Sequence, residues 1–256
     1  KLKEVDDAYR DAVSLLAQDG VAGQYSAIVI DETQDFGPQA IRLLRAMVAP
    51  GPNDLFFVGY GHQRIYGRNK AALSRCGVDI RGRARKLYIN YRTTDEIRKA
   101  ALAYLEGCEI DDLDDGTDES KRYKSLSRGP APMIASFGNL EEASPCLGAW
   151  VDELSQGEGS SWSTCVIAST TQLRIFAREM VEKKGLKTAI VEANQSCDVS
   201  PGTIYFSTMH RAKGLEFDQV IVLCRQELLQ KNREEGAKLL YVALTRARRE
   251  SRIIFL

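Results

Sequence analysis

Ala27-Ile-Val-Ile-Asp-Glu-Thr-Gln-Asp-Phe36 is the stretch on which the reading of this chain turns. Its apolar run, with three β-branched residues, leads straight into adjacent carboxylates. That pattern predicts a strand buried on both faces that delivers acids at its carboxyl end. In open α/β sheets ligands bind at that edge. Asp31 followed by Glu32 suits a Mg²⁺-nucleotide site, in which the first carboxylate holds the metal directly or through water and the second orients and deprotonates an attacking water. Taken alone, the stretch also admits a plainer reading, a core strand ending in a solvated acidic turn.

Working outward, a chain of 256 residues with 44% hydrophobic content is long enough for one large or two ordinary domains with real cores. Lys+Arg and Asp+Glu balance at 35 each, so net charge points to no polyanionic partner and any nucleic-acid contact must come from local patches. The cysteines at 76, 108, 146, 165, 197 and 224 form no C-x-x-C pair and have no histidine at ligand spacing, which predicts reduced, buried thiols. Apolar runs are strand-sized rather than membrane-sized and no signal-peptide pattern opens the chain, so a cytoplasmic protein is expected.

Residues 1–19 carry Val5, Ala8, Ala12, Leu15 and Leu16 at helical spacing before Gly20. A second helix is expected from Gly37-Pro38 to Pro50-Gly51-Pro52, then a strand over Leu55–Val58. Strand, helix, strand begins a parallel sheet. Residues 59–85 read as loop with one short helix around Lys70–Leu73 and the domain boundary. A strand over Leu87–Ile89 leads to Asn90-Tyr-Arg-Thr-Thr94, and Thr93 with Glu96 forms a capping box for a helix to about Glu106. Residues 106–132, crowded with acids, read as a solvated loop. Alternation then resumes: strand Met133–Phe137, helix Pro145–Leu154 capped by Ser144, strand Cys165–Ala168, helix Leu173–Lys184 closed by Gly185, and strand Thr188–Val191. Strands Thr203–Ser207 and Val220–Leu223, helix Glu235–Arg249 and strand Arg252–Phe255 complete it.

Further stretches hold polar residues that a core does not require: Gly61-His-Gln-Arg-Ile-Tyr-Gly67, Asn90-Tyr-Arg-Thr93, Met209-His-Arg-Ala-Lys-Gly-Leu-Glu-Phe217 and Tyr241-Val-Ala-Leu-Thr-Arg-Ala-Arg248. Each alone has an ordinary explanation, such as surface ion pairs for Arg92 and Arg246 or a core aromatic for Tyr91. In order with Asp31-Glu-Thr-Gln-Asp35, they resemble motifs II, III, IV, V and VI of the UvrD/Rep-like superfamily 1 DNA helicases, over Ile28 to Arg248.

The resemblance implies an α/β fold of RecA-like parallel sheets flanked by helices. A partial first domain would span 1–84 and a second 85–256, with the acidic loop at 106–132. It implies ATP and Mg²⁺ in the cleft between domains and 3′-to-5′ movement on single-stranded DNA. Carried over, Asp31 resembles the Mg²⁺-site acid, Glu32 the general base, Gln63 the γ-phosphate sensor, and Arg92 and Arg246 the arginines that reach that phosphate. Tyr91 resembles the aromatic stacked on adenine and Glu216 the acid at the ribose. Tyr66, Arg68, His210 and Lys213 are directed to DNA or to coupling the sites.

Departures matter. No G-x-x-x-x-G-K-[ST] occurs, so the phosphate-cradling loop is expected in an N-terminal part of the same protein, and this chain alone is expected to be inactive. Tyr60 stands where the family has an acid, and Arg68 replaces an aromatic that stacks on a base. About a hundred residues separate Arg92 from Thr203, too few for the family's large inserted domain. A non-catalytic module of the same fold, binding nucleic acid or a protein partner, therefore stands as the alternative.

Overall fold

The computed structural model describes residues 3–65, 71–110, 122–156, 162–191, 200 and 202–256. Contacts divide the chain between Leu87 and Tyr88 into two units, and the described residues Glu109 and Ile110 cluster with the first.

In the first unit, the amphipathic α1 (Val5–Gln18) lies against α2 (Pro38–Met47). Pro38 occupies the first helical position, where its missing N–H costs nothing. The helix stops at Met47 rather than at the Pro-Gly-Pro, because Val48 is already extended and bridges to Tyr25. β1 (Ile28–Ile30) and β2 (Leu55–Phe57) pair in parallel, Val29 opposite Phe56. Leu55, Phe57 and Phe36 pack on a cluster built from Ile41, Ala71, Leu73, Cys76 and Val78. An ion pair of 2.8 Å between Arg45 and Asp54 ties the last turn of α2 to the start of β2.

The expectation of a β1 buried on both faces is not met. Val29 is 72% exposed and Phe56 62%, because among the described residues helix and loop cover only the face carrying Ile30 and Phe57. Short 3-10 turns form at Gly61–Gln63 and Ser74–Cys76; the short helix expected around Lys70–Leu73 begins within residues 66–70, which lie outside the described residues.

The second unit is built on a six-stranded, wholly parallel sheet in the order β5-β10-β9-β6-β8-β7. Its strands are β5 (Met133–Ser136), β6 (Thr164–Ala168), β7 (Lys187–Ile190), β8 (Thr203–Thr208), β9 (Phe217–Cys224) and β10 (Ala247–Phe255). β3 (Ile89–Asn90) and β4 (Lys124–Ser125) form a separate parallel pair. Between strands lie α3 (Asp95–Tyr104), α4 (Leu140–Gln156), α5 (Thr171–Lys183), α6 (Glu227–Lys231) and α7 (Arg233–Leu244). α4 and α5 press Leu147, Val151, Leu173 and Val181 onto Val166, Phe206, Ile221 and Ile254. α3 and α7 contact the sheet through β9 and β10. Every residue of β6 is buried, as its unbroken apolar run requires of a central parallel strand. Each fully buried Leu, Ile, Val or Phe contributes about 1.5–3 kcal/mol.

The α/β class with helix-flanked parallel sheets is as expected, and several boundaries move. α4 begins at Leu140, five residues before Pro145, which it accommodates in its second turn; Asn139 caps it by accepting the Glu142 N–H at 3.0 Å, while Ser144 back-bonds to the Leu140 carbonyl at 2.7 Å. The cap of α3 is Thr94, not Thr93; its hydroxyl accepts the Ile97 N–H at 3.4 Å. α7 ends at Leu244 and β10 starts at Ala247, so the expected helix to Arg249 is too long. β4 falls inside the expected 106–132 loop, of which 111–121 lie outside the described residues. Among the described cysteines, 76, 108, 146, 165 and 224 are free thiols, with 108 and 146 only half-buried. Burial pushes Cys224 up to about 12, which makes it inert.

Candidate functional site

The first unit gathers Asp31, Glu32 and Gln63. Asp31 follows β1 directly and is exposed; its Oδ1 accepts the Glu32 N–H at 2.7 Å. Glu32 sits in the left-handed region at φ 52°, a conformation that costs a non-glycine residue about 1 kcal/mol or more and that concentrates at functional sites. The conformation persists because the turn after Glu32 is pinned. The Thr33 N–H and hydroxyl both donate to the Val58 carbonyl, at 2.9 and 2.8 Å, and the Val58 N–H donates to the Ile30 carbonyl at 2.8 Å. Gln34 donates through Nε2 to Glu32 Oε2 and accepts the Tyr60 N–H on Oε1 at 2.9 Å. Tyr60 opens the turn that carries Gln63, and its ring stacks on His62 at 4.7 Å. Gln63 is buried, its N–H bonded to the Tyr60 carbonyl at 3.0 Å.

The second unit gathers Tyr91, Arg92, Glu216 and Arg246. Asn90, the last residue of β3, accepts the N–H groups of Arg92 (2.7 Å) and Thr93 (3.3 Å) on its side chain, an Asx-type turn that leaves Tyr91 75% exposed. Arg92 pairs with Glu216 at 2.6 Å, and Arg248 holds the other Glu216 oxygen at 2.9 Å. Burial pulls the Glu216 carboxyl upward, but the Arg248 hydrogen bond and the charges of Arg92 and Arg248 outweigh it and hold it below the usual carboxylate range. Arg246 is fully buried at the turn between α7 and β10. Its guanidinium donates to the carbonyls of Val242 (3.0 Å) and Leu215 (3.3 Å) and to the Thr245 hydroxyl (3.3 Å). Arg246 thus bonds the residue that precedes Glu216.

His210 is exposed and Lys213 half-buried in the turns between β8 and β9, where Gly214 takes φ 82°. Tyr66 and Arg68 lie outside the described residues. Gln34, Asn90 and Arg248 each shape the site without a role assigned from sequence. The signal for Arg248 was its place in the Thr-Arg-Ala-Arg run; for Gln34 it was its place two residues after Glu32. Among the described residues no cluster of three or more His, Cys, Asp or Glu could hold a metal, and no helix is long and apolar enough to cross a membrane.

Helix-flanked parallel sheets define an α/β protein, with carboxylates at a strand end of the first unit and guanidinium groups in turns of the second. The sequence makes that class specific. Residues 6–76 match the family model of the UvrD/REP helicase N-terminal domain, and residues 203–254 match that of the UvrD-like helicase C-terminal domain. Both segments are thus similar to domains of the UvrD/REP-like helicases. It is 30% identical over 197 residues to the mitochondrial ATP-dependent DNA helicase HMI1 of Saccharomyces cerevisiae, an alignment covering 72% of this chain. The chain spans 27% of that relative's length. The C-terminal domain of a possible DNA helicase from Lactobacillus plantarum WCFS1 is similar at 23% identity and a TM-score of 0.47, over 65% of this chain and 88% of that one. Asp31, Glu32 and Gln63 fall in the first matched segment; His210, Lys213, Glu216 and Arg246 fall in the second; Tyr91 and Arg92 fall in neither.

Proposed function

We propose that this chain is motor sequence of an ATP-dependent DNA helicase or translocase that moves 3′ to 5′ on single-stranded DNA. The observation that carries the reading is the presentation of Asp31 and Glu32, one exposed at the end of a parallel strand and the next held at positive φ by a buried hydrogen-bonded turn. Such preorganisation suits chemistry whose protein contribution is positioning and charge rather than covalent steps.

The residues fit Mg²⁺-ATP. Mg²⁺ is held by one or two carboxylates and completes its shell with water and phosphate oxygens, so a lone exposed Asp31 is an adequate protein ligand. Bound there, the metal supplies neutralisation of phosphate charge. Glu32 takes the proton of the attacking water, and Gln63 orients water or phosphate. Arg92 and Arg246 supply positive charge to the phosphoryl oxygens, Tyr91 offers an exposed ring to the adenine, and Glu216 accepts from the ribose. In this state Arg92 and Arg246 are held by protein partners, so the reading requires them to exchange those partners for phosphate. Tyr66, Arg68, His210 and Lys213 are directed to DNA.

In the full-length protein, Glu32→Gln keeps nucleotide binding and lowers turnover by about 10² or more, the usual contribution of a positioned base. Turnover at the wild-type rate would overturn the assignment. The 256-residue chain itself, which contains no G-x-x-x-x-G-K-[ST], releases no phosphate from ATP. That same absence favours the second reading, a non-catalytic module that binds nucleic acid or a protein. DNA-stimulated hydrolysis by the full-length protein excludes it.

A further inference from the structure

We infer that Gln34 is a positioning residue for Glu32, orienting the carboxylate that serves as base and tying it to the segment that carries Gln63; this rests on the hydrolytic reading above. Gln34 is 0% exposed, in the 3-10 turn Thr33–Asp35. Its amide is used at both ends: Nε2 donates to Glu32 Oε2, and Oε1 accepts the Tyr60 N–H at 2.9 Å. The turn beneath it is fastened to the end of β2 by the paired Thr33 bonds to the Val58 carbonyl. Holding Oε2 restricts rotation of the carboxylate and so narrows the positions open to the other oxygen. The Asp31 side chain also holds the Glu32 backbone, accepting its N–H at 2.7 Å.

Only an amide does this. A carboxylate at position 34 could accept from Tyr60 but would set oxygen against oxygen at Glu32. An apolar side chain would leave a buried N–H without its acceptor. A flexible glutamate otherwise has to be ordered anew in each turnover, and that cost falls on the chemical step rather than on nucleotide binding.

The test compares Gln34→Glu and Gln34→Met in the full-length protein, with Glu32→Gln alongside. Gln34→Glu, which retains the acceptor for Tyr60, lowers kcat by about tenfold or more while the Kd for a fluorescent ATP analogue stays within about twofold, the split expected when only transition-state positioning is lost. Gln34→Met lowers kcat at least as far and also removes hydrogen-exchange protection from the Tyr60 amide. On a Glu32→Gln background neither change lowers the residual rate further, because no base remains to be positioned. Gln34→Asn, one methylene shorter with both polar ends kept, carries the same expectation should the larger changes prevent folding.

A kcat within twofold of wild type, or parallel losses of kcat and nucleotide affinity, would overturn the inference. If Glu32→Gln is inactive while the Gln34 variants are normal, only the Gln34 role falls. If Glu32→Gln itself turns over normally, the hydrolytic reading falls and takes the Gln34 role with it.

Discussion

Arg246 shows how much a single residue can be asked to do. As a finger it must reach a phosphate, yet it is wholly buried and hydrogen-bonded to Val242, Leu215 and Thr245. Truncation removes a large buried side chain and strands carbonyls that it now satisfies. Arg246→Ala is therefore expected to destabilise the protein by about 2–4 kcal/mol, read as a lower urea midpoint. Arg246→Lys recovers little of this, because one ammonium cannot reproduce a planar fork. An unchanged midpoint for the alanine variant would deny the structural half of the role. Turnover measurements on Arg246 variants need this control before a loss is assigned to chemistry.

Residues placed by their neighbours in sequence were legible, and those placed by distant partners were not. The position of Asp31 and Glu32 at a strand end could be read because an apolar run leads straight into them. Gln34 meets Tyr60 across 26 positions and Arg248 meets Glu216 across 32, separations over which no local pattern operates.

At the scale of elements the same contrast holds. Strand and helix order was readable from the sequence pattern, since β6, β8 and β9 each carry a short apolar run that is buried. Boundaries failed where tertiary contacts outweigh propensity. Pro145 reads as a helix start, but Leu140 packs against the same core as Leu147, and that contact draws the helix back by more than a turn. The α7–β10 junction read as continuous helix because Thr245-Arg-Ala-Arg248 contains good helix formers; burial of Arg246 and pairing of Ala247 with Phe217 end it instead. Gly236 makes the point quantitatively. On helix propensity alone, alanine there gains about 1 kcal/mol. A Cβ at that position, however, meets the Leu228 backbone oxygen at 2.3 Å, where α6 crosses the first turn of α7. Overpacking against backbone costs about 1–3 kcal/mol, so Gly236→Ala is expected to lower the thermal midpoint on balance. A raised midpoint would mean that α6 yields freely.

For the molecule as a whole, balanced charge hides an uneven distribution of consequence. The 35 acids and 35 bases cancel on paper, yet the acids that matter in the second unit are buried or half-buried ones bound to bases. Asp95, in the first turn of α3, receives Lys99 at 2.8 Å, Arg98, and Arg128 at 3.2 Å. The Lys99 and Arg98 hydrogen bonds hold its carboxyl well below the ordinary 3.8, against a smaller upward pull from burial. Glu216 and Asp218 are depressed as well, from ordinary values of 4.5 and 3.8, because their partners outweigh burial. A carboxyl depressed in the folded state binds its proton more readily when unfolded. Its stabilisation is complete above the ordinary value and is lost as pH falls through the folded one. Stability from urea unfolding should therefore hold roughly level from about pH 7 to about pH 5 and then decline, by about 1.4 kcal/mol per pH unit for each proton of difference. Asp95→Asn should lower stability at neutral pH, since Arg98 is left buried without its counter-charge, and should flatten the decline below about pH 4. Unchanged steepness in that variant would remove Asp95 from the acid response and leave the other depressed carboxyls, Glu96, Glu153, Glu182, Glu216 and Asp218 among them, to account for it.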